Sequence, residues 1–259
     1  AVNPLPMDVN VALEGEPGGA MPDVIPIYKA AAPAIGVLAP DIYQPAEKAM
    51  KTMAQYDRPD NALFVPETSG GVDYLQEVIR RGGIGFSPFG IDPGPFTAAP
   101  GTNAHLSPIA AQYALLRLAD GELGTWIFER RIQIANVSAQ VPRQVVDLGF
   151  WRMTVTFGAG KPWEAPTAAK PETAAEAGPA DPLAPPKPSG LAVIAQLGNN
   201  EFVVMATRCQ VAFEASGPNK DKPWQFLKVE EGRYENGTFQ LLRLLNGDQV
   251  GWGTVSIGD

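Results

Sequence analysis

The chain has 259 residues, of which 45% are apolar and 19% are charged, a composition that is typical of globular proteins and excludes a disordered chain. The formal net charge is −8, and lysines and arginines do not cluster, so we expect no nucleic-acid partner, because phosphate binding depends on clustered basic side chains. No apolar stretch approaches the ~20 residues that a membrane span requires.

The chain contains one histidine, His105, and one cysteine, Cys209. A thiolate metal cluster is therefore excluded, and a histidine-based metal site or a Ser-His-Asp triad would have to use His105. His105 follows a loop near the start of a predicted helix, which favours a capping or surface role. Cys209 lies in a strand-like run, which predicts a buried, inert thiol. We therefore predict no metal or cofactor, and carboxylate chemistry remains.

Up to about residue 120 the sequence alternates between helical and strand patterns. The predicted helices cover residues 22–32, 46–55, 72–81 and 107–119, and the predicted strands cover residues 35–40, 62–65 and 84–89. Strands that follow one another through helices predict parallel pairing. Three strands, or four if residues 9–13 count, are too few to close an eight-stranded barrel, so a small open sheet is an alternative.

The pattern changes at Gly124, after which short strand-like runs are separated by turns rich in Gly, Asn and Asp. The runs are residues 125–128, 133–134, 145–148, 151–157, 191–194, 201–207, 210–213 and 232–234. This part predicts an antiparallel sandwich or jelly roll. Residues 161–190 are rich in Pro, Ala and Glu and predict a long surface insertion. The predicted domains are residues 1–120 and 121–259.

Acidic and aromatic residues follow the three predicted parallel strands. Asp41 and Tyr43 follow the first strand, Glu67 the second, and Phe89 ends the third. Carboxylates bind sugar hydroxyls and aromatic rings cover the apolar face of a sugar, so this grouping indicates a carbohydrate site. From the pattern alone, Glu67 could instead pair with a neighbouring arginine or cap the helix that begins at Val72. Asp41 could as well be structural as functional, and Tyr43 and Phe89 are residues that more often serve core or rim packing.

Several long strings, in order, resemble the bacterial β-galactosidases of glycoside hydrolase family 35, in the branch with an extra C-terminal β domain. They are AAAPAIGVLAPDIY at residues 30–43, YDRPDNALFVPE at 56–67, GIGFSPFGI at 83–91, YALLR at 113–117, VEEGRY at 229–234 and RLLNGD at 243–248. The resemblance covers most of the chain.

The resemblance implies the C-terminal part of a (β/α)8 TIM barrel, with about strands six to eight, followed by an antiparallel β-sandwich or jelly-roll domain. It also implies retaining hydrolysis of terminal β-linked galactose with Glu67 as nucleophile, and Asp41, Tyr43, Phe86 and Phe89 near the sugar. Strands one to four or five, and the acid/base glutamate with them, have no counterpart here. We therefore expect another polypeptide piece to supply them. A periplasmic or secreted location is also implied.

Two rival interpretations remain open. The chain could be a non-catalytic carbohydrate-binding or assembly module whose barrel remnant has lost activity. It could also be a small α/β protein unrelated to sugars, in which case Glu67 would face a packed interior.

Overall fold

The computed structural model describes residues 21–69, 71–89, 107–119, 121–158, 189–250 and 253–257. The chain divides into two compact units, Ala1–Gln112 with Ile127–Arg130 and Tyr113–Trp126 with Arg131–Asp259. We call them the α/β unit and the β unit. His105, residues 9–13 and most of the predicted insertion lie outside the described residues. No helix in the described part of the chain combines the length and the apolar character that a membrane span needs.

The α/β unit alternates helices with short strands, as the sequence predicts. Its elements are α1 (Ile25–Ala31), β1 (Asp41–Ile42), α2 (Ala46–Tyr56), β2 (Phe64–Thr68), α3 (Val72–Arg80), β3 (Gly85–Pro88) and the start of α4 (Ser107–Leu116). The strands form one sheet in the order β1-β2-β3, with β2 parallel to both neighbours. The described strands of this unit form an open sheet and close no barrel.

Residues near the helix ends explain where α1 begins and where α3 ends. Pro26 lies in the first turn of α1, where its missing N–H costs no hydrogen bond, so it does not interrupt the helix. At the end of α3, Gly82 has a φ of +71° and the amides of Gly82 and Gly83 donate to the carbonyls of Ile79 and Val78. This left-handed turn is the termination that the Gly82-Gly83 pair predicts.

The prediction of a strand over residues 35–40 is wrong, because the first strand of the sheet is Asp41–Ile42. Leu38 is fully buried, yet its backbone bonds with a side chain. The N–H of Leu38 donates to Oδ1 of Asn61 over 2.8 Å, and Nδ2 of Asn61 donates to the Leu38 carbonyl over 2.9 Å. The Asn61 side-chain amide thus bonds with both backbone groups of Leu38.

An apolar cluster lies between the helices and the sheet of the α/β unit. It is formed by buried side chains of Ile25, Leu38, Ile42, Ala49, Met53, Tyr56, Leu63, Val65, Tyr74 and Val78, with Phe86 packed against it. These residues come from α1, α2, α3 and from β1 and β2, with Leu38 and Leu63 from the connecting segments. The cluster fixes the helices on the sheet, and the strand ends carry the candidate site.

The described strands of the β unit form three antiparallel sheets. Strands β4 (Ile132–Ser138), β7 (Ser189–Gly198) and β8 (Glu201–Thr207) form one sheet in the order β4-β7-β8. Strands β5 (Arg143–Asp147), β6 (Trp151–Phe157), β9 (Cys209–Ala215) and β12 (Thr254–Ile257) form a second in the order β12-β9-β6-β5. Strands β10 (Val229–Glu235) and β11 (Thr238–Leu245) form a two-stranded hairpin.

One apolar cluster joins side chains from the first two sheets. Ala135 and Ala192 come from the first sheet, and Met153 and Val211 come from the second. Cys209 is fully buried in this cluster, as predicted, and burial raises the pKa of its thiol to about 11. The thiol therefore stays protonated and unreactive near neutral pH.

Two predictions for the second half of the chain are corrected. The run Thr125–Phe128 was expected to be a strand but belongs to α5 (Leu123–Phe128), in which the Trp126 N–H donates to the Glu122 carbonyl. A four-residue apolar run does not distinguish a strand from one helical turn. The predicted insertion at residues 161–190 also extends too far, because Ser189 and Gly190 begin β7.

Candidate functional site

Glu67 lies inside the central strand β2, opposite Asp41 of β1 in the parallel register. Val65 and Thr68 are both buried although they are three residues apart, because the register with β3 shifts between them. A regular strand would turn alternate side chains to the same face. The shift leaves Pro66 and Glu67 half-buried between two buried neighbours.

Tyr43 is the hydrogen-bond partner of Glu67. Its hydroxyl donates to Oε1 of Glu67, and 46% of the tyrosine is exposed. Desolvation raises the pKa of Tyr43 to about 12, with further contributions from the Glu67 hydrogen bond and from the charges of Glu67 and Asp41. The phenol therefore stays protonated near neutral pH and remains a donor to the carboxylate.

Both residues that flank Tyr43 are held through their backbone carbonyls. The Thr68 hydroxyl donates to the Ile42 carbonyl, and the Tyr74 hydroxyl donates to the Gln44 carbonyl, each over 2.6 Å. These contacts orient Tyr43 toward Glu67 from two directions. The sequence analysis missed Thr68 and Tyr74, because their partners are 26 and 30 residues away along the chain and no local pattern marks them.

Asp41 is the third member of the group. Ile42 belongs to the apolar cluster, so strand alternation turns its neighbours Asp41 and Tyr43 toward the opposite face. Asp41 is only 9% exposed, and its charge contributes to the raised pKa of Tyr43. The structure therefore brings Asp41, Tyr43 and Glu67 together on one side of the β1–β2 pair.

The two phenylalanines that were expected near the sugar lie in different environments. Phe89 is 65% exposed just after β3, and its N–H donates to the Thr68 carbonyl over 2.8 Å. Its backbone is thus tied to the end of β2. Phe86 instead packs against the apolar cluster of the α/β unit. Of these two phenylalanines, Phe89 is the one presented to solvent.

The geometry also excludes the alternative that Glu67 caps helix α3. The N-cap of α3 is Gly71, and no side chain caps that helix, so Glu67 is not a helix cap. Its carboxylate accepts from a phenol rather than from backbone amides at the helix start. Among the described residues, no group of three or more His, Cys, Asp or Glu side chains is arranged to hold a metal ion.

Comparison with protein families finds a match for the second half of the chain. Residues 109–255 match DUF5597, a family described as a domain of unknown function, and this range is more than half of the chain. The chain belongs to the DUF5597 family. The matched region begins in α4 and ends in β12, so Asp41, Tyr43 and Glu67 lie before it. No curated protein matches the chain.

Proposed function

We propose that this chain carries the nucleophile of a retaining β-galactosidase-like glycoside hydrolase, and that the nucleophile is Glu67. The observation that carries the proposal is the position of Glu67 in the central parallel strand, hydrogen-bonded to Tyr43 and opposite Asp41. Active residues of parallel α/β proteins gather at the carboxyl ends of the strands.

The proposed reaction has two displacements. In the first, a carboxylate oxygen of Glu67 forms a bond to the anomeric carbon, while the bond to the departing oxygen breaks and an acid protonates that oxygen. In the second, water attacks the same carbon, gives up its proton to the conjugate base of that acid, and releases galactose and the free carboxylate. Because Oε1 accepts the Tyr43 hydroxyl, we assign the attack to Oε2.

The remaining strand-end residues are assigned to substrate binding. Asp41 would accept hydrogen bonds from sugar hydroxyls, and the exposed ring of Phe89 would cover the apolar face of the sugar. Phe86 would support this region from the apolar cluster rather than contact the substrate. Tyr43 would hold the nucleophile in its attacking orientation.

The acid/base requires a second carboxyl group about 5–5.5 Å from the nucleophile. We propose that a polypeptide segment outside residues 1–259 supplies this glutamate together with the N-terminal strands of a (β/α)8 barrel, in which β1, β2 and β3 are strands six to eight. The parallel open sheet supports this arrangement, because β1 and β3 are its edge strands among the described residues and further parallel strands would extend the sheet from its edges.

The DUF5597 region would be an antiparallel β-sandwich attached to this barrel. The apolar cluster with side chains from both the β4-β7-β8 and the β12-β9-β6-β5 sheets supports that architecture. By analogy with the family that the sequence resembles, we place the enzyme in the periplasm or outside the cell, where it would meet galactosides or oligosaccharides.

The first test compares two glutamate substitutions in the active enzyme that contains this chain. Glu67→Gln should lower turnover of an aryl β-galactoside by at least about 10³-fold, because the amide is a poor nucleophile. The matched control is Glu47→Gln, on the exposed face of α2 where Glu47 pairs with Lys51 at 2.8 Å, and it should leave turnover unchanged. Near-normal turnover by the Glu67 variant would show that the nucleophile assignment is wrong.

Covalent trapping tests the same residue independently. A 2-fluoro-galactoside with a good leaving group should label the enzyme once, on the peptide that contains Glu67. Label on a different carboxylate would overturn the assignment. If the wild-type enzyme binds galactosides but never hydrolyses them, the non-catalytic binding module is the better interpretation. An active preparation that contains residues 1–259 alone would refute the need for a second polypeptide segment.

A further inference from the structure

Five aromatic side chains form a continuous cluster in the β unit. Trp151, Phe202 and Phe213 lie on β6, β8 and β9, while Trp224 and Phe226 lie in the irregular segment before β10. Ring centroids are 4.9 Å apart for Trp151–Trp224, 5.5 Å for Trp224–Phe226, 5.6 Å for Phe213–Phe226 and 5.5 Å for Phe202–Phe213. We call this group the aromatic cluster.

The rings of the aromatic cluster are partly exposed and make defined contacts with one another. All five side chains are half-buried. Three of the four contacts are nearly perpendicular, with interplanar angles of 78°, 87° and 88°. In an edge-to-face contact, the ring that contributes its edge keeps both of its faces for other partners. Because each of the five residues is only half-buried, part of the aromatic cluster is accessible to solvent.

Contacts within the protein hold these rings in place. Trp151, Phe202 and Phe213 pack against the apolar cluster between the two sheets. The indole N–H of Trp151 donates to Oδ1 of Asn200 over 2.8 Å. Gly253 has a φ of +75°, and a Cβ at that position would lie 2.6 Å from the Trp224 ring. The chain thus needs glycine at position 253 to let the Trp224 ring lie against its backbone.

The surroundings of the aromatic cluster favour a neutral ligand with hydroxyl groups. Arg152 and Glu214, next in sequence to Trp151 and Phe213, pair with each other at 4.0 Å, and strand alternation turns them to the opposite face of the sheet from those rings. Lys228, two residues beyond Phe226, pairs with Glu230 at 2.8 Å. The amide of Asn200 is exposed beside Trp151 and provides polar atoms next to the rings. Fixed aromatic faces with neighbouring amides suit the apolar faces and hydroxyls of pyranose rings.

We propose that the aromatic cluster is a second carbohydrate site, which binds a β-linked, galactose-containing glycan and holds the enzyme on its polymeric substrate. The choice of galactose rests on the proposed hydrolase function. The site itself rests on the aromatic cluster of the β unit and requires no residue of the strand-end group. A binding site in this region would give the DUF5597 segment a function of its own.

Affinity electrophoresis through gels that contain a soluble β-linked galactan tests the site, with dextran, an α-linked glucan, as the reference polymer. The Glu67→Gln protein is used so that the polymer is not digested. Galactan should retard this protein and dextran should not. Adding Trp224→Ala should weaken retention at least tenfold, whereas adding Leu227→Ala should leave it unchanged, because Leu227 is 97% exposed and outside the ring contacts.

A second measurement guards against misfolding of the alanine variant. Trp224→Phe keeps an aromatic ring and should retain measurable binding, and galactan oligosaccharides should change the tryptophan fluorescence of the unsubstituted protein. Absence of retardation and of a fluorescence change overturns the site, as does equal retention by the Trp224→Ala protein with an intact fold. Hydrolysis without retention would refute this site alone, and retention without hydrolysis would refute the nucleophile proposal alone.

Discussion

Replacing Asn61 by alanine should destabilise the α/β unit strongly, because Asn61 completes the backbone bonding of a buried segment. The residue is 2% exposed, and it bonds with fully buried Leu38 and Tyr56. Its Oδ1 accepts the Leu38 N–H at 2.8 Å, and its Nδ2 donates to the carbonyls of Leu38 and Tyr56 at 2.9 and 3.0 Å.

The magnitude follows from the groups that alanine leaves without partners. One N–H and two carbonyls would lose these bonds, and each unsatisfied buried group costs about 1–3 kcal/mol. Water that enters the space left by the side chain would recover part of this loss. We therefore expect the free energy of unfolding to fall by about 3–5 kcal/mol, near the lower end of the sum.

Urea unfolding followed by far-ultraviolet circular dichroism measures this loss. With a slope of about 2 kcal/mol per molar urea, the midpoint should fall by about 1.5–2.5 M. Asn199→Ala is the matched control, since Asn199 lies exposed in the turn between β7 and β8. A loss below about 1 kcal/mol for Asn61→Ala, or equal losses for both variants, would refute the inference that the Asn61 amide completes the backbone bonding of this buried segment.

Three further predictions test other parts of the structure. Gly83→Ala should lower the free energy of unfolding by about 1–3 kcal/mol, because the added Cβ would lie 2.8 Å from a backbone oxygen. Gly36→Ala is the control and should be close to neutral, because a Cβ there meets nothing within 4 Å. Equal shifts of the melting temperature in the two variants would contradict this prediction. Cys209 should resist thiol reagents until the protein unfolds, and rapid labelling of the folded protein would contradict its burial. Because the pKa of its thiol is raised in the folded state, its contribution to stability should be lost as the pH rises from about 9 through about 11. In a Glu67→Gln variant, the pKa of Tyr43 should fall from about 12 toward its ordinary value, but it should not reach that value because the desolvation of Tyr43 remains. Identical tyrosinate absorbance titrations of the wild-type protein and the variant would contradict the contact between Tyr43 and Glu67.

The sequence alone determined the features that depend on neighbouring residues. The order of helices and strands in the first half follows from apolar periodicity, and the end of α3 follows from Gly82 and Gly83. The burial of Cys209 follows from its position in an apolar run. The absence of histidine and cysteine clusters, which leaves carboxylates as candidate groups, also needs no structure.

Tertiary structure decided the features that depend on residues far apart in the chain. Residues 35–40 have the pattern of a buried strand, but Asn61, 23 residues beyond Leu38, takes their central hydrogen bonds. Periodicity could not show that Tyr43 bonds with Glu67 across 24 residues, nor that Phe86 faces the apolar cluster while Phe89 faces solvent. Sequence patterns record which side chains are apolar, whereas chain folding determines which distant polar groups meet. The strand-end grouping of Glu67 was therefore predictable, but its partner was not.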